Sequence, residues 1–138
     1  MMNVDESKFG VGDYSYQMAG EISGLTKLVN LFYDNMESLP EAQVIRSMHP
    51  SDLSSARQKL AYFLSGWLGG PKLYSENYGP INIPGAHRHL SVGVEERDAW
   101  MLCMAKAVEL QPYDEAFKKY LIAQLSVPAE RIRVACSR

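Results

Sequence analysis

Cysteine is scarce in this chain: two residues in 138, Cys103 and Cys136, with no C-x-x-C pair. That excludes a disulfide framework and a thiolate zinc site. An excess of one charge is lacking too. Fourteen Lys and Arg stand against sixteen Asp and Glu, a formal net charge of −2, and no basic run occurs. The electrostatic footprint of a nucleic-acid binder is therefore missing. No stretch approaches the roughly 20 apolar residues that span a bilayer. The opening segment MMNVDESKFGVGDYSYQ is polar and acidic, without an apolar signal core. These absences predict a cytoplasmic protein with neither a nucleic-acid nor a membrane partner. Alternating apolar and polar positions, the mark of a half-buried strand, are also absent, so the fold class is all-α.

What is present is a globular composition. Hydrophobic residues make up 46% and charged residues 22%, which excludes a disordered chain. The length suits a single domain, expected over residues 14–138 behind a flexible arm at 1–13. Eight Tyr, four Phe, two Trp and seven Met supply large, adaptable side chains for a core or for the lining of a flat ligand's pocket.

Helical periodicity is strong. Leu25, Leu28, Val29, Phe32, Tyr33 and Met36 form one stripe at i, i+3, i+4, i+7, i+8 and i+11. Pro40 can open a short helix, which stops before Pro50. A third helix carries Leu53, Ala56, Leu60, Phe63 or Leu64, and Trp67, and ends at Gly69-Gly70-Pro71. Residues 72–84 read as an ordered loop, long enough in so small a domain to signal function. A long helix follows over about 94–110 with an acidic first turn at Glu95 and Glu96 and an inner face of Trp100, Met101, Met104, Ala107 and Val108. The last helix begins near Tyr113 with Phe117, Leu121 and Leu125, and Pro128 breaks or kinks it.

Histidine occurs three times, twice in His87-Arg88-His89. Residues two apart on a helix face away from each other, and no cluster of Cys or carboxylates completes a zinc site. The pair offers at most one metal ligand. One His facing a deep apolar pocket is what a haem requires on its proximal side.

Four segments in order then resemble the truncated haemoglobins of group II. Residues 63–76, FLSGWLGGPKLYSE, look like that family's FLxxxxGGPxxYxE segment; Arg88-His89-Leu90 looks like its proximal segment; residues 96–104, ERDAWMLCM, look like its ERDAWLxCM segment; Phe32-Tyr33 matches its FY pair. The resemblance implies an abbreviated globin fold, two antiparallel helix pairs around a haem b. It implies His89 as the proximal iron ligand, with His87 the competing candidate. Tyr33 and Trp100 match distal residues that donate toward a captured ligand. His49, or Met48 in its place, falls where relatives carry Tyr or Phe, which makes His49 a third distal residue and a candidate sixth ligand. Ala56 falls where other globins hold a distal His. Lys59, Tyr74 and Arg88 match positions that meet the haem propionates, and Leu60, Phe63, Trp67, Val92 and Met104 are expected haem contacts. Two departures stand out. Glu21 follows Gly20 where the family has a Gly pair, and the stretch from Gly79 to the proximal segment is slightly longer than usual. The function implied is reversible binding of oxygen or another diatomic gas, carbon monoxide or nitric oxide, including oxygen transport. The alternative is an enzyme for nitric oxide dioxygenation or for removal of peroxide and reactive nitrogen species. Lacking a flavin or nicotinamide motif, that enzyme would need a separate reductase.

Overall fold

The stripes pack against one another as two antiparallel helix pairs. The computed structural model describes residues 4–80, 87 and 90–136, and no strand occurs among them. In chain order the helices are α1 (Tyr14–Met18), α2 (Glu21–Ser38), α3 (Gln43–Ser47), α4 (Ser54–Trp67), α5 (Leu73–Tyr78), α6 (Val94–Glu109) and α7 (Glu115–Cys136). One pair is α2 with α4, the other α6 with α7, and α2 also packs on α6. The direction of each pair follows from its contacts. Arg57 on α4 reaches Asn30 and Asp34 on α2, while the other end of α4 meets Tyr16 just before α2. Arg97 on α6 binds Glu130 on α7, and Lys118 on α7 reaches back to Glu109 on α6.

The α2 stripe is buried in full: Leu25, Leu28, Val29, Phe32, Tyr33 and Met36. Each such side chain removed from water contributes about 1.5–3 kcal/mol. The other helices show a second pattern. On α4 the row Ala61, Leu64 and Leu68 is buried against α2, whereas Ala56, Leu60, Phe63 and Trp67 are only half-buried. On α6, Ala99 and Cys103 take fully buried places, and Trp100 and Met101 stay half-buried. Three of the four residues in the half-buried row of α4, Ala56, Leu60 and Phe63, border a cavity.

Three expectations are corrected. Residues 72–84 contain a helix, α5, whose first turn is closed by the Glu76 amide donating to the Lys72 carbonyl. Pro128 does not end α7, which continues through it to Cys136. The missing Pro N–H costs one backbone bond, and the helix survives because its apolar face continues on both sides. The described part of the N-terminal arm is packed rather than free. Phe9 stacks on Tyr120 and Phe117 with ring centroids 4.8 and 5.6 Å away, and the Asp5 amide donates to the Tyr14 hydroxyl. Gly69 completes this junction. Its φ is +90°, and a Cβ there would lie 1.9 Å from the Gly12 carbonyl oxygen.

The departure at Glu21 has a local consequence. Gly20 adopts φ 86°, and Glu21 follows at φ 60°, the only non-glycine in the left-handed region among the described residues. A side chain there costs about 1–2 kcal/mol, part of which a glycine's extra chain entropy would cancel. Glu21→Gly is therefore expected to stabilise the fold by about 0.5–1 kcal/mol, read as a rise of a few degrees in Tm. A lower Tm would show that Glu21's place in the acidic first turn outweighs its backbone strain.

Candidate functional site

A cavity of about 430 Å³ lies between the two helix pairs, within the usual size of a small-molecule site. Six helices contribute to its walls. From α2 comes Tyr33; Ile45 of α3, with Met48 and His49 just after it, forms a second side. Ala56, Lys59, Leu60 and Phe63 of α4 line it at spacings of three and four, one helix face. Trp100 enters from α6 with Glu96 and Arg97. The last wall is α7, through Leu125, Pro128, Ala129 and Ile132. Tyr74, His87, Leu90 and Val92 complete the lining.

Eight residues singled out in the sequence thus meet around one space: Tyr33, His49, Lys59, Leu60, Phe63, Tyr74, Val92 and Trp100. Trp67 does not line it and instead stacks on Phe63, ring centroids 6.1 Å apart. Met104 is fully buried in the helix core and does not line it either. Arg88 and His89 lie outside the described residues. The α7 wall went unrecognised in the sequence, although 125, 128, 129 and 132 have helical spacing; Pro128 hid the signal by suggesting that the helix stopped.

Three polar side chains dominate one region. Tyr33 packs edge-on to Phe32, which in turn lies 5.0 Å from Trp100 by ring centroids. The His49 ring meets Tyr33 edge-on at 5.8 Å. His49 Nδ1 lies 2.8 Å from the Ile45 carbonyl oxygen. A carbonyl only accepts, so Nδ1 carries a proton, and in the neutral tautomer this leaves Nε2 as an acceptor. Neither the Tyr33 hydroxyl nor the Trp100 indole N–H makes a hydrogen bond among the described residues. The cavity therefore has two unspent donors, Tyr33 and Trp100, on walls that are largely apolar.

His87 is fixed through its backbone. Its carbonyl oxygen accepts from the Leu90 amide at 2.9 Å and from Cys136 Sγ at 3.0 Å. The second bond ties His87 to the end of α7. Lys59 Nζ sits 5.3 Å over the Tyr78 ring, and Arg97 is held by Glu130 and Asp98. No cluster of three or more His, Cys, Asp or Glu suited to a bare metal ion occurs among the described residues.

Comparison with known proteins places this architecture. The family model described as bacterial-like globin matches residues 15–133. The chain belongs to the bacterial-like globins, as a group II truncated haemoglobin. It is 31% identical over 117 residues to the group 2 truncated hemoglobin YjbI of Bacillus subtilis (strain 168), covering 85% of this chain and 86% of that protein. The cold-adapted truncated hemoglobin of the Antarctic marine bacterium Pseudoalteromonas haloplanktis TAC125 superposes with a TM-score of 0.82 at 31% identity, over 86% of this chain and 95% of that one. The truncated oxygen-avid haemoglobin from Bacillus subtilis superposes with a TM-score of 0.78 at 30% identity, over 86% and 97%. No helix among the described residues of this truncated haemoglobin is long and apolar enough to cross a membrane.

Burial sets the protonation of the distal tyrosine. Desolvation pushes the Tyr33 phenol up to about 12, and the nearby Arg57 charge pulls weakly the other way. Tyr33 therefore remains a protonated donor at any physiological pH. Unfolded tyrosine ionises near 10. Between those values the unfolded chain releases a proton that the folded chain keeps, so stability falls as pH rises, by about 1.4 kcal/mol per pH unit for each such group. Tyr113 is raised by burial in the same direction, and Cys103 is pushed up to about 11. Urea unfolding between about pH 9 and 12 should show this alkaline loss, and Tyr33→Phe should remove one group's share of the slope. An unchanged slope would mean that the phenol is solvated.

Proposed function

We propose that this protein binds haem b in the central cavity and reversibly captures a diatomic gas, oxygen first, with His89 as the proximal ligand. One observation carries the proposal: one largely apolar cavity holds two unspent hydrogen-bond donors, Tyr33 and Trp100, and is lined by His87 and Leu90, which flank His89 in the sequence. The residues present fit the group. Leu60, Phe63, Leu125 and Ile132 supply apolar surface for a flat macrocycle, and Lys59 and Tyr74 supply a cation and a hydroxyl for carboxylate tails. When bound, haem would supply an iron that a histidine holds and that binds a small gas. Likeness to an oxygen-avid haemoglobin supports oxygen as the ligand.

The choice of His89 over His87 follows the sequence, because Arg88-His89-Leu90 fits the family's proximal segment and His87 does not. His89→Ala should abolish or grossly weaken haem retention, and His87→Ala should leave it close to wild type. Equal loss in both variants, or loss confined to His87→Ala, measured by the Soret band after purification with haem supplied, would overturn the assignment. A wild type with no Soret band at all would refute haem binding.

On the distal side the protein's work is proton placement. Tyr33 and Trp100 hold their protons toward the space where negative charge collects on a captured ligand, in a water-poor site that strengthens such bonds. In its neutral tautomer His49 spends its proton on the Ile45 carbonyl and would meet a ligand as an acceptor. Its Nε2 is also the nitrogen that a sixth-ligand role would use. Tyr33→Phe and Trp100→Phe should each speed oxygen escape by about tenfold or more, the worth of a hydrogen bond to a charged group, whereas His49→Ala should not. Stopped-flow release rates unchanged in both Phe variants and in the double variant would reduce the two residues to packing.

A further inference from the structure

We infer that Arg57 is a positioning residue for the distal tyrosine, acting on the turns of α2 that carry Tyr33 and on its ring. The inference rests on the proposed haem site and goes beyond it, because Arg57 is not on the cavity wall. Its guanidinium spans from α4 to three residues of α2. One nitrogen donates to the Asn30 carbonyl at 2.9 Å and to the Asn30 Oδ1 at 3.3 Å. The other reaches Asp34 Oδ1 at 2.9 Å and Glu37 Oε1 at 3.4 Å. Residues 30, 34 and 37 bracket Tyr33 by one turn on either side. The same guanidinium lies 5.7 Å from the Tyr33 ring centroid, within cation–π range.

Two effects follow from this arrangement. The planar fork grips a backbone carbonyl and two carboxylates at once, which fixes the roll of α2 against α4. That roll sets how far the Tyr33 hydroxyl projects past Ala56, the α4 residue beside Arg57, which has no side-chain donor of its own. The cation near the ring also draws electron density from the phenol and makes its hydroxyl a stronger donor. Burial favours this use: the Arg57 side chain is 24% exposed, while its partners Asp34 and Glu37 are largely open to solvent. A simple surface ion pair would be worth little; this one is built around the residue that faces the ligand.

The test is a double-mutant cycle in the haem-loaded protein, with Arg57→Met and Tyr33→Phe alone and combined. Arg57→Met should speed oxygen release by about fivefold when Tyr33 is present and by less than about 1.5-fold in the Tyr33→Phe background, the signature of coupled neighbours. The infrared band of the carbon monoxide form gives a second readout. It should broaden and move to higher wavenumber in Arg57→Met, and not move further when Tyr33 is already Phe. Equal acceleration in both backgrounds, or none with Tyr33 present, overturns the inference and leaves Arg57 as a helix clamp. If Arg57→Met does not fold, Asp34→Asn combined with Glu37→Gln loosens the fork from its exposed side and should give a smaller effect that also depends on Tyr33; an effect independent of Tyr33 overturns it again. These outcomes separate from failure of the haem proposal, which would show as a wild type without a Soret band.

Discussion

A chain this short is organised around a space that it does not fill. Interiors normally pack as densely as organic crystals, and here the α4 row from Ala56 to Phe63 and Trp100 of α6 pack against the core on one side and border a cavity on the other. Everything else compensates for that opening. The α2 stripe is buried without gaps, and Phe117, Leu121 and Leu125 close the other pair. Asn35 crosses from α2 to donate to the Cys103 carbonyl of α6, joining the two pairs beside the cavity. A disc that fills the space would add its binding free energy to the stability of the fold, so occupancy and folding are linked.

Much of this was legible in the sequence, for definable reasons. The α2 stripe, the Gly69 stop and the acidic start of α6 are local signals, and all three stand in the structure. The cavity itself was legible only as a pattern of motifs. Periodicity marks an apolar face but does not say whether a helix or a ligand covers it; Leu60 and Phe63 look like core from spacing alone. Met104 shows the converse, since a helix covers it entirely. The misjudged segments share a cause: proline and glycine were taken as full stops. Pro128 is carried inside α7, and the Gly- and Pro-rich stretch after Pro71 still winds one helix. Phe9's seat on α7 depends on contacts more than a hundred positions away, which no local window reveals.

The polar side of the cavity obeys a simple accounting of protons. Tyr33 keeps its proton because burial penalises the phenolate. Trp100 has one N–H and never loses it. His49 has one to give in its neutral form and gives it to Ile45. The polarity that a small ligand meets is thus decided partly by a backbone carbonyl on α3 that never touches it, and a substitution that moved α3 would change that polarity without altering any of the three side chains.

The α7 wall bears on how the protein is made. Residues 33, 49, 56, 60 and 100 leave the ribosome well before Leu125, Pro128, Ala129 and Ile132, and the Cys136 contact that secures His87 is made later still. Those four residues are one whole wall, so a chain that stopped short of them would have no closed cavity to offer a flat ligand.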